Sequence, residues 1–228
     1  MKNAALHAVV TGTSSGIGAA IAQRLLSAGW KVTGLDKSPG TLNHPQFTAI
    51  ETDLIDFNAV QTTIAGMSAI NALVHAAGFM RTASLGVLDL QAGAAMWTLH
   101  VQAAEVLANA AREKLSRGGR IVLIGSRTAN GAAGRSQYAA TKAALVGMAR
   151  SWAAELAPEG ITVNVVAPGA TETPMLLDPG RVGTPPKKPP IGRFIQPAEV
   201  AGLVAYLLSE EAGAITGQQI VMCGGGSL

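Results

Sequence analysis

Tyr138 and Lys142 stand four residues apart in the run Tyr138-Ala139-Ala140-Thr141-Lys142. On a helix this spacing puts two side chains on one face, with Cβ atoms about 5–6 Å apart. A phenol ordinarily titrates near ~10, and a neighbouring ammonium favours its ionised form. Tyr138 beside Lys142 is therefore suited to give and take a proton near neutral pH, which reversible oxidation of an alcohol requires. Tyrosine and lysine at this spacing also occur on exposed helix faces that do no chemistry. The pair gains meaning from its surroundings.

A second group of residues lies near the N-terminus. Thr11-Gly12-Thr13-Ser14-Ser15-Gly16-Ile17-Gly18 falls between an apolar β-rich run and a helix-forming stretch. Glycines at such a junction let the backbone turn tightly and approach a pyrophosphate, while the helix N-terminus offers free N–H groups and partial positive charge. Asp36 ends the next strand. A carboxylate there accepts hydrogen bonds from both hydroxyls of an adenosine ribose and repels a 2′-phosphate, which favours NAD(H) and leaves NADP(H) as the lesser possibility. Lys37 pulls the other way if it faces the site. Read alone, Asp36 is equally a turn residue after a strand.

These residues need elements to hold them. Short β-rich runs alternate with helical stretches. Strands are predicted at Leu6–Thr11, Lys31–Asp36, Phe47–Glu51, Ala72–Ala76, Arg120–Gly125, Thr162–Ala167 and Gln219–Met222. Helices are predicted at Gly16–Ala28, Asp56–Ala65, within Gln91–Leu115, and at Tyr138–Leu156 and Pro197–Leu208. This order predicts right-handed βαβ units in an α/β fold: one Rossmann-like, doubly wound parallel sheet of about seven strands, with residues 1–228 as a single domain. The gap from Asp36 to Phe47 is too short for a full helix, so the second crossover is trimmed. Prolines at 179, 185, 186, 189 and 190 mark a linker or a substrate lid within about 174–195.

Apolar residues make up 48% and charged residues 14% of the 228, which excludes a disordered chain. The net charge of +3 is small and its basic residues are scattered, so no nucleic-acid partner is expected. The single cysteine, Cys223, rules out an internal disulfide framework, fits a reducing cytoplasm, and reads as a small core residue. No run approaches the ~18 apolar residues of a membrane span. The Met1-Lys2-Asn3 start followed by Ala4 to Val10 resembles a signal peptide only superficially, so a cytoplasmic location is expected.

Taken in order, the landmarks resemble those of the short-chain dehydrogenase/reductase family over essentially the whole chain. They are Thr11 to Gly18, Asp53-Leu54, His75-Ala76-Ala77-Gly78, Ser126, Tyr138 to Lys142, Asn164 to Gly169 leading to Thr173-Pro174, and the tail from Ile215 through Gly225. The resemblance implies that Tyr138 is the general acid/base, that Ser126 hydrogen-bonds the substrate oxygen, and that Lys142 binds the nicotinamide ribose. It further implies a cofactor site formed by Gly12, Ser14, Ser15, Gly16, Ile17 and Gly18 at the pyrophosphate. Asp36 would take the ribose, Asp53 and Leu54 the adenine, and Ala77 and Gly78 a ribose. Pro168, Gly169, Thr171 and Thr173 would hold the nicotinamide. No metal is implied. Similarity also implies a homo-oligomer, a tetramer or dimer. The alanines at 103, 104, 108 and 111 permit close helix approach, either to a partner copy or to the chain's own sheet.

Four departures bear on function. His100 stands where the family commonly has an asparagine in the proton relay, and is read either as a relay residue or as a structural histidine. Asn109 is too far along to substitute. His75 occupies another common asparagine position and is read as structural. Ser126 lies twelve positions before Tyr138, and Ser136 competes weakly for its role. Substrate choice is expected from the loop between Thr173 and Ile195, from Phe79–Ala83, and from Ala129–Gln137. Met175, Leu176 and Leu177 offer an apolar wall. Arg81, Arg135, Arg181, Lys187, Lys188 and Arg193 are either anion readers or surface charges balancing Glu159, Glu199, Glu210 and Glu211, and Arg135 is the best placed to read an anionic group. The expected activity is NAD(H)-dependent interconversion of a small secondary alcohol with its ketone or aldehyde. A catalytically silent NAD(P)-binding sensor or scaffold is the alternative, and epimerase or lyase chemistry a third reading.

Overall fold

The computed structural model describes residues 5–178 and 186–228. Pro179, Arg181 and Pro185, with Met1 to Ala4, lie outside the described residues, as does the side chain of Leu177. Strands β1 (His7–Thr11), β2 (Lys31–Asp36), β3 (Phe47–Glu51), β4 (Ile70–His75), β5 (Leu115–Ile124), β6 (Thr162–Pro168) and β7 (Gln219–Met222) form one parallel sheet. Its order is β3-β2-β1-β4-β5-β6-β7. The order reverses between β1 and β4, and at such a switch point a crevice opens beyond the carboxyl ends of the strands.

Helices α1 (Gly16–Ser27), α2 (Phe57–Ala65), α3 (Leu90–Trp97), α4 (Ala103–Ala111), α5 (Ser136–Leu156) and α6 (Pro197–Leu207) cover both faces. Side chains alternate across a strand, so continuous apolar runs feed two cores at once. Val9, Leu73, Leu123 and Val165 pack under α2, α4 and α5 with Ile64, Leu107 and Leu145. Their neighbours Val10, Val74, Ile124 and Val166 pack under α1 and α6 with Ile21, Leu25 and Val204. Burying each such side chain stabilises the fold by about 1.5–3 kcal/mol.

Two elements differ from expectation. The long helix anticipated within Gln91–Leu115 is two helices joined by a π-helical turn, Thr98–Gln102. Leu115 is not its last residue but the first of β5, whose register against β4 shifts between Ile70 and Ala72. Gly118, at φ 72°, supplies the left-handed backbone in that segment. The alanines of α4 serve the chain itself: Ala103, Ala104 and Ala111 are buried in the core and Ala108 packs against it, which accounts for them without a partner copy.

No helix joins β2 to β3. The connection folds back onto β3, so close that a Cβ at Gly40 would sit 2.5 Å from that of Ala49. Thr41 Oγ1 donates to the carbonyl of Ser14 at 3.3 Å, tying this loop to the glycine loop. Among the described residues no helix is long and apolar enough to cross a membrane.

Candidate active site

A cavity of about 1290 Å³ opens at the carboxyl ends of the strands. Single small-molecule sites usually occupy ~300–1,000 Å³, so this one has room for a large ligand and a small one together. It is lined by Gly12, Ser14 to Gly18, Asp36, Asp53, Leu54, Ala77, Gly78, His100, Ser126, Tyr138, Lys142, Pro168, Gly169, Thr171 and Thr173. Every catalytic and cofactor-binding residue anticipated from the sequence lines this one cleft.

The glycine loop is shaped by contact. Gly12 has φ 74°, and a Cβ there would lie 3.0 Å from Ala77 N; at Gly18 a Cβ would lie 2.1 Å from Gly12 O. Larger residues do not fit. Ser15 begins α1 with no side-chain cap, and the first turn holds no acidic residue. Its orphan N–H groups and the helix dipole are therefore left to an anion from outside, which suits a pyrophosphate. Thr11 Oγ1 braces the opposite wall by accepting from Ala76 N and Ala77 N, each at 3.0 Å.

Asp36 is held rather than loose. Its Oδ2 accepts from Ser14 N at 3.0 Å and Ser14 Oγ at 2.8 Å, and its Oδ1 accepts from Ser38 N at 2.9 Å. A carboxylate has about four acceptor positions, so one remains for a ribose hydroxyl. Lys37 lines the same end of the cavity.

At the other end, the buried α5 face carries Tyr138 and Lys142. Lys142 Nζ donates to the carbonyl of Ile124 at 2.9 Å and lies 5.8 Å from the centroid of the Tyr138 ring. Burial pulls the Lys142 ammonium down to about 7 from an ordinary 10.5. Ser126 follows the same strand by two residues; its Oγ accepts from Thr128 N at 3.1 Å, which fixes the hydroxyl at the cavity wall. Ser136 is exposed and lies off the cavity, so Ser126 is the serine the geometry favours.

His100 is held at both ring nitrogens. A backbone N–H can only donate, so the 3.2 Å contact from Phe79 N makes Nε2 the acceptor and places the proton on Nδ1. Nδ1 then donates to Thr141 Oγ1 at 2.9 Å, and Thr141 Oγ1 donates to the carbonyl of Tyr138 at 2.8 Å. Burial, Lys142 and His75 together hold the His100 ring well below its usual range. Both nitrogens are engaged and the ring is neutral, which fits the structural of the two readings of His100. His75 is neutral too, pulled to about 3 mainly by burial. Its Nδ1 accepts from Thr11 Oγ1 at 3.0 Å, and its Nε2 donates to the carbonyl of Leu99 at 3.1 Å. Together the two histidines clamp the π-helical turn beside Lys142. Such turns recur at functional sites.

Phe79, Met80, Met96 and Met175 pack around Tyr138. The basic residues divide. Arg193 faces away and pairs with Glu199 at 2.7 and 2.8 Å, Arg112 pairs with Glu159, and Lys188 is exposed off the cavity. Arg81, Arg127, Arg135 and Lys187 line the cavity.

A family model described as enoyl-(acyl carrier protein) reductase matches residues 12–227. The 3-oxoacyl-[acyl-carrier-protein] reductase FabG of Salmonella typhimurium is 37% identical over 96% of each chain. The chain belongs to the short-chain dehydrogenase/reductase family. A solved short chain dehydrogenase from Burkholderia cenocepacia, in complex with NADP, matches this one with a TM-score of 0.87 and 35% identity, over 98% of each chain. A cyclic-di-GMP-binding biofilm dispersal mediator protein of Escherichia coli is 34% identical over 92% of each chain. As a short-chain dehydrogenase/reductase the protein is an oxidoreductase that works with a nicotinamide dinucleotide on a small molecule.

Three residues serve this short-chain dehydrogenase/reductase site in ways the sequence did not reveal: Thr11 and Thr141, present there only as members of their motifs, and Arg127. Each had a positional signal. Thr11 ends β1 at the glycine loop, Thr141 precedes the lysine, and Arg127 follows Ser126.

Proposed function

We propose that the chain interconverts a secondary alcohol and its ketone or aldehyde with NAD(H). The observation that carries this reading is the convergence of Ser126, Tyr138 and Lys142 on a cavity that also holds an uncapped helix N-terminus. Bound nicotinamide supplies the hydride chemistry at the carbinol carbon. Tyr138 takes the hydroxyl proton during oxidation and returns it during reduction. Ser126 donates to the substrate oxygen. The Lys142 ammonium, anchored on Ile124, stabilises the negative charge on the phenol oxygen and offers its remaining N–H groups to a ribose hydroxyl. Gly12 to Gly18 hold the pyrophosphate, Asp53 and Leu54 the adenine, Ala77 and Gly78 a ribose, and Pro168 to Thr173 the nicotinamide.

The carboxylate of Asp36, fixed by Ser14 and Ser38, is the reason for choosing NAD(H): a 2′-phosphate beside it meets like charge. The Burkholderia relative with NADP and the position of Lys37 argue the other way. The experiment is nicotinamide absorbance with NAD⁺ and a panel of secondary alcohols, run beside Tyr138→Phe. Turnover that disappears in the variant supports the reading. Absence of turnover, in protein that still binds NADH, favours a nucleotide-binding protein without catalysis, the reading suggested by the cyclic-di-GMP-binding relative.

A further inference from the structure

The ion pair between Arg81 and Asp178 joins residues 97 apart in the chain. Their strands are not neighbours either. Arg81 follows β4 and Asp178 follows β6, and β5 lies between those two in the sheet. Neighbouring strands stand about 4.8 Å apart, so the pair closes a gap of roughly 10 Å between the strand ends. What it crosses is the carboxyl end of β5, where Ser126 sits. Arg81 and Asp178 line the cavity together with Ser126 and Tyr138.

Both feet of this bridge are fixed. On the β4 side Phe79 N donates to His100 Nε2 at 3.2 Å, and Arg81 N donates to Met96 Sδ at 3.4 Å. The guanidinium lies 5.2 Å from the centroid of the Phe79 ring, and its Nη1 donates to the carbonyl of Met80 at 3.0 Å as well as to Asp178 Oδ2 at 3.1 Å. On the β6 side Asp178 closes a 3₁₀ turn, Pro174–Leu177, and its N–H donates to Met175 O at 3.4 Å. Behind that turn Glu172 N donates to Ile195 O at 2.8 Å and Ile195 N to Ala170 O at 2.9 Å. One side chain from each foot, Phe79 and Met175, packs with Tyr138.

Resting on the alcohol reading above, we propose that Arg81 and Asp178 form a strap that limits the substrate to a short-chain secondary alcohol or its ketone. The strap, the two segments that carry it and β5 make a closed ring around the site of the reacting oxygen. A carbinol seated at Ser126 and Tyr138 lies within that ring, so a longer chain must pass under the ion pair or part it. Phe79 and Met175 already occupy space beside the phenol, which leaves room for few carbons. The side chains of Arg81 and Asp178 keep 43% and 28% of their exposure, so the pair is open to solvent and to salt. A pair of this kind shifts an equilibrium by no more than about fivefold, enough to select among substrates and weak enough to open at each turnover.

The test is the ratio of kcat/KM for 2-octanol to that for 2-butanol, with NADH binding as the sign that each variant is folded. Arg81→Gln and Asp178→Asn should each raise the ratio about 2- to 5-fold, and the double variant no further, because either change removes the same contact. Arg81→Lys should return part of the wild-type ratio. In 1 M salt, where the screening length falls to about 3 Å, the wild-type ratio should rise in the same way while that of the variants stays put. A merely structural arginine would depress both alcohols together and leave the ratio alone. A ratio unmoved by both substitutions and by salt, or two substitutions whose effects add, overturns the proposal and leaves the dehydrogenase intact. If no alcohol is turned over, 2-octanone and 2-butanone are compared for binding to the NADH-loaded protein by saturation-transfer NMR. A relative gain for the larger ketone in Arg81→Gln then sustains the strap, and no gain overturns it.

Discussion

Lys142→Met separates what the buried ammonium does for the chemistry from what it costs the fold. Its folded-state value of about 7 lies well below the ordinary 10.5, and burial is the cause. Between those two values the unfolded chain holds a proton that the folded chain does not. Stability therefore falls as pH drops from 10.5 to about 7, and this contribution is flat below that. The full difference corresponds to about 5 kcal/mol of destabilisation at low pH. Methionine removes the charge at similar length but leaves the Ile124 carbonyl without its donor, a loss of about 1–3 kcal/mol. The cofactor-free variant should be more stable than the wild type at pH 7 by about 2–4 kcal/mol, or ~2–4 °C in Tm for each kcal/mol. At pH 9 the wild type recovers about 2 kcal/mol and the gap narrows. Urea denaturation at pH 6, 7 and 9 reads this directly, and alcohol oxidation by the same variant should be lost. A gap that is equal at pH 7 and 9, or a variant less stable at both, would refute the reasoning.

Three further outcomes are expected. Asp36→Ala should narrow the preference for NADH over NADPH in fluorescence titrations, and equal affinities in the unmodified protein would remove the basis for choosing NAD(H). Because His75 and His100 are held neutral, each should cost the folded state about 1.4 kcal/mol per pH unit below pH ~6.5, where the unfolded ring takes up a proton. His100→Asn should roughly halve that slope and lower stability by about 1–3 kcal/mol by orphaning a buried partner, with the pH–rate profile unchanged from pH ~6 to 8; a displaced acidic limb would restore the relay role. Gly18→Ala, whose methyl would press on Gly12 O, should cost about 1–3 kcal/mol in urea melts and weaken NADH binding, and a neutral result would contradict the close packing described for the loop.

The sheet was legible because its β-rich runs stand apart from the helical stretches between them: β2, β3 and β7 fall on their predicted ranges, and Asp36 ends β2 as expected. The trimmed crossover was legible from simple length. The π-helical turn was not, because nothing local in Thr98–Gln102 prescribes it; its support comes from Phe79, Thr141 and His75, each distant in sequence. The same long-range bonds bear on His100, whose identity alone suggests a titrating group and whose partners hold it neutral. The start of β5 was missed because Leu115–Gly119 combines a polar stretch with two glycines, which reads as a turn, whereas pairing with Ile70 makes it strand.

The short connection between β2 and β3 bears on where this molecule tolerates insertion. Surface loops usually accept added residues, since lengthening them costs little chain entropy. This one does not have that freedom. Gly40 must lie flat on Ala49, Thr41 reaches the Ser14 carbonyl, and at its entrance Asp36, which accepts from Ser38 N, holds Ser14 of the glycine loop. A peptide tag or a lengthened segment spliced into residues 37–46 would therefore register as weakened cofactor binding in a protein whose two cores remain intact.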